Sequence, residues 1–318
     1  MNKDSIARIS AADLSSLIGA LEIDFVALSE CLVSSGHRLD MGGVDASGIH
    51  YFLSGTGRLV LVNGPTIEIS PHKLVIVPRN AAFRIEAPNE RGEFSAPKVV
   101  DGSKHHTSFG MLRRFVAGEG DPEVVMICGF FRASYGSAID FLAALATPIV
   151  EQFDALDRLD EKLKAAFDEL VAQEVGSGVM SATLLKQVLI ILLRRSMTSS
   201  DQWAQRFALL CDPQIARAFA EMAAQPGAPH SITSLAKRAG LSRSGFMARF
   251  ASLLGRPPML VLRDLRMRQA AGLLALNGLS IEQIANEVGY GSRSSFVRAF
   301  GKVYGKEPSE FRAGKAAG

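Results

Sequence analysis

The feature that most constrains this chain is an internal duplication in its last third. Ser231-Ile232-Thr233-Ser234-Leu235-Ala236-Lys237-Arg238-Ala239-Gly240 matches Ser280-Ile281-Glu282-Gln283-Ile284-Ala285-Asn286-Glu287-Val288-Gly289. After one extra residue in the second copy, Ser242-Arg243-Ser244-Gly245-Phe246 aligns with Ser292-Arg293-Ser294-Ser295-Phe296. Phe250, Gly255 and Pro258 then align with Phe300, Gly305 and Pro308.

Both copies predict two helices joined by a tight turn. Ser231 and Ser280 are N-caps whose side-chain oxygens meet free backbone N–H groups. Ala236 and Ala285 are small where two helices nearly touch, and Gly240 and Gly289 follow where the turn needs a positive φ. Ser242 and Ser292 cap a second helix with a buried i, i+4, i+7 face: Phe246, Phe250 and Leu253 in one copy, Phe296, Phe300 and Val303 in the other. Arg243, Ser244, Met247 and Ala248, or Arg293, Ser294, Val297 and Arg298, are left pointing outward. Such donors and small groups suit a recognition helix in a major groove. Between the copies, Pro257-Pro258 opens a long amphipathic stretch to Leu276. About 18 residues at about 1.5 Å each give a rod of about 27 Å, which holds two recognition helices roughly one DNA turn apart.

Charge separates this reading from a helical repeat that binds protein. Residues 1–211 hold 20 Lys and Arg against 25 Asp and Glu, a net of −5, and residues 212–318 hold 15 against 7, a net of +8. A basic half points to a polyanion, here double-stranded DNA. A length of 318 residues suggests about two domains, and 47% apolar with 21% charged residues is ordinary globular composition. Cys31, Cys128 and Cys211 are odd in number and widely spaced, neither a disulfide framework nor a zinc site, which fits a reducing cytosol. The first residues lack the apolar core of a signal peptide. The run Val188–Leu193 is far too short to span a bilayer, so a cytoplasmic protein with no membrane partner is expected.

Upstream, residues 1–36 receive no firm assignment. Short β-rich runs at His50–Leu53, Arg58–Val62, Thr66–Ile69, Leu74–Val77 and Ala82–Glu86, punctuated by Asn63-Gly64-Pro65 and Pro78-Arg79-Asn80, predict a small antiparallel barrel or sandwich. Asn89–Ser108 reads as a mobile loop and Val124–Phe131 as a further strand. Helical spacing then predicts helices over Ile139–Phe153, Leu156–Val175 and Met180–Met197, the last two separated by Gly176-Ser177-Gly178. Leu156, Leu159, Leu163, Phe167 and Leu170 form one stripe, either core or a dimer seam. Thr198–Asp201 and Cys211-Asp212-Pro213 are the approaches to the second domain.

Residues from about Asp212 to Ala313 resemble the DNA-binding domain of AraC/XylS-type bacterial transcription regulators. The segment Ile281–Phe311 carries the most recognisable string: I-x-x-I-A-x-x-V-G-Y, then S-x-x-x-F-x-R-x-F, then G-x-x-P-x-x-F-R. In the first copy the arginine usual two residues after the aromatic is replaced by Ala248, with Arg249 beside it to meet phosphate or an acidic neighbour. The upstream strands, through His50-Tyr51-Phe52, Gly57, Leu74–Pro78 and Cys128-Gly129, resemble the cupin-like sensor domains of one branch of that family.

The resemblance implies an α+β two-domain chain. A cupin-like sensor and dimerisation domain with a helical extension spans 1–205. An all-α DNA-binding domain spans 212–313, with helix-turn-helix motifs at 231–254 and 280–304 joined by a long helix. The DNA-binding residues are then Ser242, Arg243, Ser244, Met247, Ala248, Arg249, Ser292, Arg293, Ser294, Ser295, Val297 and Arg298. Family usage gives the first motif mainly base reading and the second mainly backbone contact. A small-molecule effector, with His50, Tyr51 and Arg79 as lining residues, a homodimer and RNA polymerase are the further partners. Related cupin-type regulators include oxidant sensors, so Cys31 and Cys128 are redox candidates.

Metal-binding cupins need a close His pair, a Glu and a later His. This chain has His50 alone, Phe83 where the later His is expected, and adjacent His105-His106 that point opposite ways on an extended segment. The barrel is therefore read as metal-free, with no cofactor and no catalytic residues. A cupin-type oxygenase fused to a DNA-binding module and an architectural DNA-binding protein are the competing classes.

Overall fold

A computed structural model describes residues 10–109, 112–135, 139–142, 145–172, 177–198, 212–276 and 278–316. The chain divides into two compact bodies, Ile23–Ala133 with Leu142–Arg206, and Met1–Glu22 with Ser134–Phe141 and Phe207–Gly318.

The first body is sheet-rich. Its first sheet runs in the order β13 (Ile149–Gln152), β6 (Lys73–Val77), β3 (Ser47–Ser54), β11 (Val124–Tyr135), β1 (Glu22–Val33), β10 (Leu112–Ala117) and β9 (His106–Phe109), with β12 (Ile139–Asp140) paired to β11. The second runs β5 (Thr66–Ile69), β4 (Gly57–Leu61), β7 (Phe83–Glu86), β2 (His37–Met41) and β8 (Lys98–Asp101). Alternation explains the strands. Along β4, Leu59 and Leu61 turn inward while Arg58 and Val60 stay half-exposed. Phe52, Val75, Val77, Cys128 and Phe130 of the first sheet share one core with Leu39, Leu59, Phe83 and Ile85 of the second, the arrangement of two sheets closed over a common interior. Asn63 and Asn80 adopt positive φ at the turns the sequence marks.

Beyond the sheets, a short 3-10 turn at Ala155–Asp157 leads into α2 (Leu159–Ala172) and α3 (Ser177–Thr198), which pack as a hairpin. Leu159, Leu163, Leu185, Val188, Leu189 and Leu192 are buried. Leu159 and Leu163 of the predicted stripe are thus core, whereas Leu156 is 89% exposed. The side chains of Phe167 and Leu170 lie outside the described residues, as do residues 199–211 of the predicted approaches and Cys211.

Three expectations are corrected. Ile139–Phe153 is not a helix: it holds β12 and β13, because Pro148 removes a helical N–H donor and Ile149–Gln152 finds its partners on β6. Asn89–Ser108 is not all loop: Lys98–Asp101 pairs in parallel with β2, and His106–Ser108 pairs with β10. Gly178 does not break a helix but lies in the first turn of α3, Gly176 falling outside the described residues. The unassigned N-terminus holds α1 (Ala11–Ala20) followed directly by β1.

The second body is helical apart from β12 and the last two residues of β11, with which β12 pairs. It comprises α1, α4 (Pro213–Ala224), α5 (Ile232–Ala239), α6 (Arg243–Leu254), α7 (Pro258–Ala275), α8 (Ile281–Glu287), α9 (Arg293–Tyr304) and α10 (Pro308–Ala316). The expected caps are all made. Ser231 with Ser234 and Ser280 with Gln283 form capping boxes, and Ser242 and Ser292 accept from Gly245 and Ser295. Gly240 and Gly289 have φ of +67° and +77°. Only at Gly289 does packing add to that requirement, since a Cβ there would lie 2.5 Å from the Gly227 carbonyl oxygen. Phe246, Phe250, Phe296 and Phe300 are fully buried.

Candidate DNA interface and thiol pair

In the C-terminal body, burial of the phenylalanine faces leaves the opposite faces of α6 and α9 to solvent. Arg243, Ser244, Met247 and Ala248 are exposed on α6, with Met247 47% accessible. On α9, Arg293, Ser294 and Arg298 are exposed and Val297 is half-buried, and these four with the cap Ser292 line a shallow groove. The structure thus gathers the predicted residues into two clusters, one at the start of each helix.

Arg249 is exposed as well, with 45% of its side chain accessible, but its guanidinium is engaged within the protein. Its Nε and Nη2 donate to Asp212 Oδ2 at 3.0 and 2.6 Å, and its Nη1 donates to Gln214 Oε1 at 2.8 Å. Of the two roles open to it, this is the acidic neighbour.

The fate of the other arginines gives the electrostatics. Among the described residues from Arg217 to Arg312, six guanidiniums pair with acids, and Arg266, Arg298 and Arg312 donate to backbone carbonyls. Arg217 and Arg238 reach Asp13, and Arg238 also reaches Glu221. Arg249 holds Asp212, and Arg256 and Arg263 hold the buried Asp264. Arg268 meets Glu22. Arg266 donates to the carbonyls of Pro226, Ala228 and Gly289, and Arg312 donates to Leu279. Arg243, Arg293 and Arg298 form no ion pair among the described residues. Of the arginines that pair with no acid, Arg266 and Arg312 are held by backbone carbonyls, and Arg243, Arg293 and Arg298 sit on the two outward faces, where an anionic duplex would meet them.

In the sheet-rich body the three predicted effector residues do not converge. His50 is fully buried inside, with its ring centroid 4.4 Å from that of Phe83 and 6.0 Å from that of Phe130. Neither of its ring nitrogens has a hydrogen-bond partner, and burial pushes its pKa down to about 3. Tyr51 points to the opposite face, as strand alternation demands. There its hydroxyl lies 3.1 Å from His72 Nδ1, and burial pushes its pKa up. Arg79 is at the surface, its Nη2 2.6 Å from Asp45. Asp45 is held below the usual carboxylate range by that hydrogen bond. His105 and His106 also diverge: one ring bonds the Asp101 carbonyl and the other stacks near Phe115. Among the described residues no three His, Cys, Asp or Glu side chains group as a metal site.

The two cysteines do converge. Cys31 on β1 and Cys128 on the neighbouring β11 are fully buried free thiols with Sγ atoms 3.0 Å apart. Burial pushes the Cys128 thiol up, and the hydrogen bond with Cys31 adds to it. Ninety-seven residues separate them in the chain, so spacing alone carries no trace of the pair. His50 is the cross-strand partner of Cys128.

Comparison with known proteins gives the family. A helix-turn-helix domain family matches residues 235–314, and a cupin family matches residues 14–198. The HTH-type transcriptional regulator AlkR of Acinetobacter baylyi is 33% identical over 286 residues, covering 84% of this chain and 88% of that protein. The RCS-specific HTH-type transcriptional activator RclR of Escherichia coli K12 is 24% identical over 288 residues, covering 89% and 90%. Among solved structures, the DNA-binding domain of AdpA in complex with a target DNA is 31% identical over 33% of this chain and 95% of that chain, with a TM-score of 0.32. The class is that of DNA-binding transcription regulators. The chain belongs to the AraC-type family of these, in the group with a cupin domain upstream. No helix among the described residues is long and apolar enough to cross a membrane.

Proposed function

We propose that this protein is a sequence-specific, non-enzymatic transcription regulator in which α5–α6 and α8–α9 act as two helix-turn-helix units joined by α7. In this reading α6 and α9 enter successive major grooves. The observation that carries it is the segregation of arginines: six pair with acids, while Arg243, Arg293 and Arg298 have no acid partner among the described residues and lie on the outward faces. Arg243, Ser244 and Met247 choose sequence on α6, and Arg293 and Arg298 bind phosphate or guanine from α9. An oxygenase would require a ligand cluster that the described residues do not gather.

Replacing Arg298 with Ala is expected to weaken binding to all DNA sequences and to reduce the salt slope of log K by about one unit. An unchanged slope in a titration from low to moderate salt would refute the phosphate assignment. Selection of bound sites from a random DNA pool tests specificity itself. Enrichment no better than random would leave an architectural protein instead.

The regulatory signal in this reading is thiol oxidation. A two-electron oxidant such as hypochlorous acid transfers chlorine to one sulfur, and the thiol proton leaves with hydroxide as water. The second sulfur displaces chloride and loses its proton, so two thiols become one disulfide as the oxidant is reduced to water and chloride. A high thiol pKa disfavours the thiolate that peroxide needs, so a small neutral electrophile of this kind fits a buried pair. Oxidation of the reduced protein is expected to remove two thiol hydrogens and to change operator affinity, both effects vanishing in Cys31→Ser and Cys128→Ser. An identical response in both variants would exclude the pair.

Homodimerisation belongs to the α2–α3 hairpin in this reading, since Leu156, Val179 and Met180 remain exposed beside it. A monomer at micromolar concentration in sedimentation would count against it.

A further inference from the structure

The chain passes between its two bodies at four places, after Glu22, Ala133, Phe141 and Arg206. Two of these crossings fall inside strands rather than in connecting loops. β1 begins at Glu22, and β11 runs on through Ala133 to Tyr135. Each of these two strands carries one cysteine of the pair. Cys31 lies nine residues beyond Glu22, and Cys128 lies six residues before Ser134. The strands are hydrogen-bonded neighbours, and the sulfurs touch across them.

The segments at the far ends of both strands are built into the C-terminal body. Before β1, α1 packs along α4 and buries Leu14 and Leu17. Its Asp13 is nearly buried and is capped by Ser10. Asp13 accepts a hydrogen bond of 3.1 Å from Arg238 of α5 and lies 3.9 Å from Arg217 of α4. At the strand's first residue, Glu22 meets Arg268 of α7. After Cys128, Tyr135 closes edge-on against Phe219 of α4 with ring centroids 4.9 Å apart, and Phe141 meets Tyr135 edge-on at 6.1 Å. Phe219 in turn neighbours Phe250 at 6.4 Å, so this contact reaches the buried face of α6. These footings hold α4, α5 and α7, the helices that set the position of the reading helix α6.

We infer that β1 and β11 are the two rods by which the state of the Cys31–Cys128 pair reaches the DNA-binding helices, with α1 and the Ser134–Phe141 segment as their footings. This rests on the thiol reading above. Bond formation draws the sulfurs from contact to covalent distance inside a close-packed interior, where strain is transmitted rather than absorbed. Because both strands continue into the C-terminal body, a shift of either reaches α4, α5 or α7 through packed side chains and ion pairs.

The test compares operator affinity of reduced and oxidised full-length protein for wild type, Asp13→Asn and Leu17→Ala, with disulfide formation followed by intact mass. Asp13→Asn keeps the apolar contacts of α1, so it stands even if Leu17→Ala folds poorly. Wild type is expected to change affinity by about 5-fold or more on oxidation, the scale of ordinary coupling between sites. Asp13→Asn is expected to form the disulfide as readily while its oxidised and reduced affinities move to within about twofold of each other. Amide exchange in α1 and α4 is expected to change on oxidation in wild type only. A full wild-type response in both variants, with exchange in α1 and α4 unaltered by oxidation, overturns the coupling and leaves the thiol reading standing. Failure of any disulfide to form in wild type overturns both.

Discussion

Asp264→Ala is expected to destabilise the C-terminal body by about 3–5 kcal/mol and to abolish operator binding at 37 °C. Asp264 sits in α7 with 5% of its side chain exposed. Its two oxygens accept from Arg256 Nη1 at 2.6 Å and from Arg263 at 3.3 Å. Removing the carboxylate leaves two guanidiniums, 29% and 33% exposed, without the acid that holds them. The loss of one partner costs far more than the pair contributes. Because α7 packs against both α6 and α9, the damage falls on both helices together. Denaturant unfolding followed by helical circular dichroism, with DNA affinity on the same samples, measures it. A midpoint within experimental error of wild type would show that these arginines are solvated rather than held.

The second large effect concerns acid. His50 is fully buried with its folded pKa pushed down to about 3, against 6.5 in the unfolded chain. Above pH 6.5 both states are neutral at this site and it contributes no pH dependence. Below 6.5 the unfolded chain takes up a proton that the folded barrel cannot, so stability falls as pH falls, down to about pH 3. The slope approaches about 1.4 kcal/mol per pH unit, so the sheet-rich body is expected to be weaker by roughly 2–3 kcal/mol at pH 4.5 than at pH 7. His50→Leu removes this component and should flatten the curve, since Val75 and Cys128 across the strands and Phe83 and Phe130 above already make the site apolar. Parallel pH profiles for the two proteins would show that water or a ligand reaches the imidazole.

The two bodies were legible in the sequence to different depths. In the C-terminal body, capping serines, turn glycines and phenylalanines four apart predicted helices whose caps, turns and buried faces the structure reproduces, down to Ser280 with Gln283 and Ser292 with Ser295. These features act within one or two turns of chain, so local spacing encodes them. The strands from Ser47 to Glu86 were legible for a similar reason, since alternation and turn residues are local. β12 and β13 were not. Ile139–Phe153 has helical spacing of apolar residues, but a strand's stability resides in its neighbour, and β6 is some seventy residues away.

Side-chain destinations divide in the same way. That Arg243, Arg293 and Arg298 face outward follows from the burial of Phe246, Phe296 and Phe300 on the opposite faces. That Arg249 turns back to Asp212 follows from a contact between α6 and α4, which nothing within α6 announces. His50, Tyr51 and Arg79 lie near one another in sequence, yet strand alternation and a turn send them three different ways.

By itself, then, the amino-acid sequence determined the duplicated helical reader, its caps and turns, and a β-rich partner domain, because each arises from periodicity and short-range hydrogen bonding. Tertiary structure alone decided which arginines are taken up by internal acids, that α1 belongs with the C-terminal helices, and that Cys31 and Cys128 meet. Ion pairing and thiol contact depend on distances through space, and only the packed chain brings Asp13 to Arg238, 225 positions away, or Cys31 to Cys128, 97 positions away.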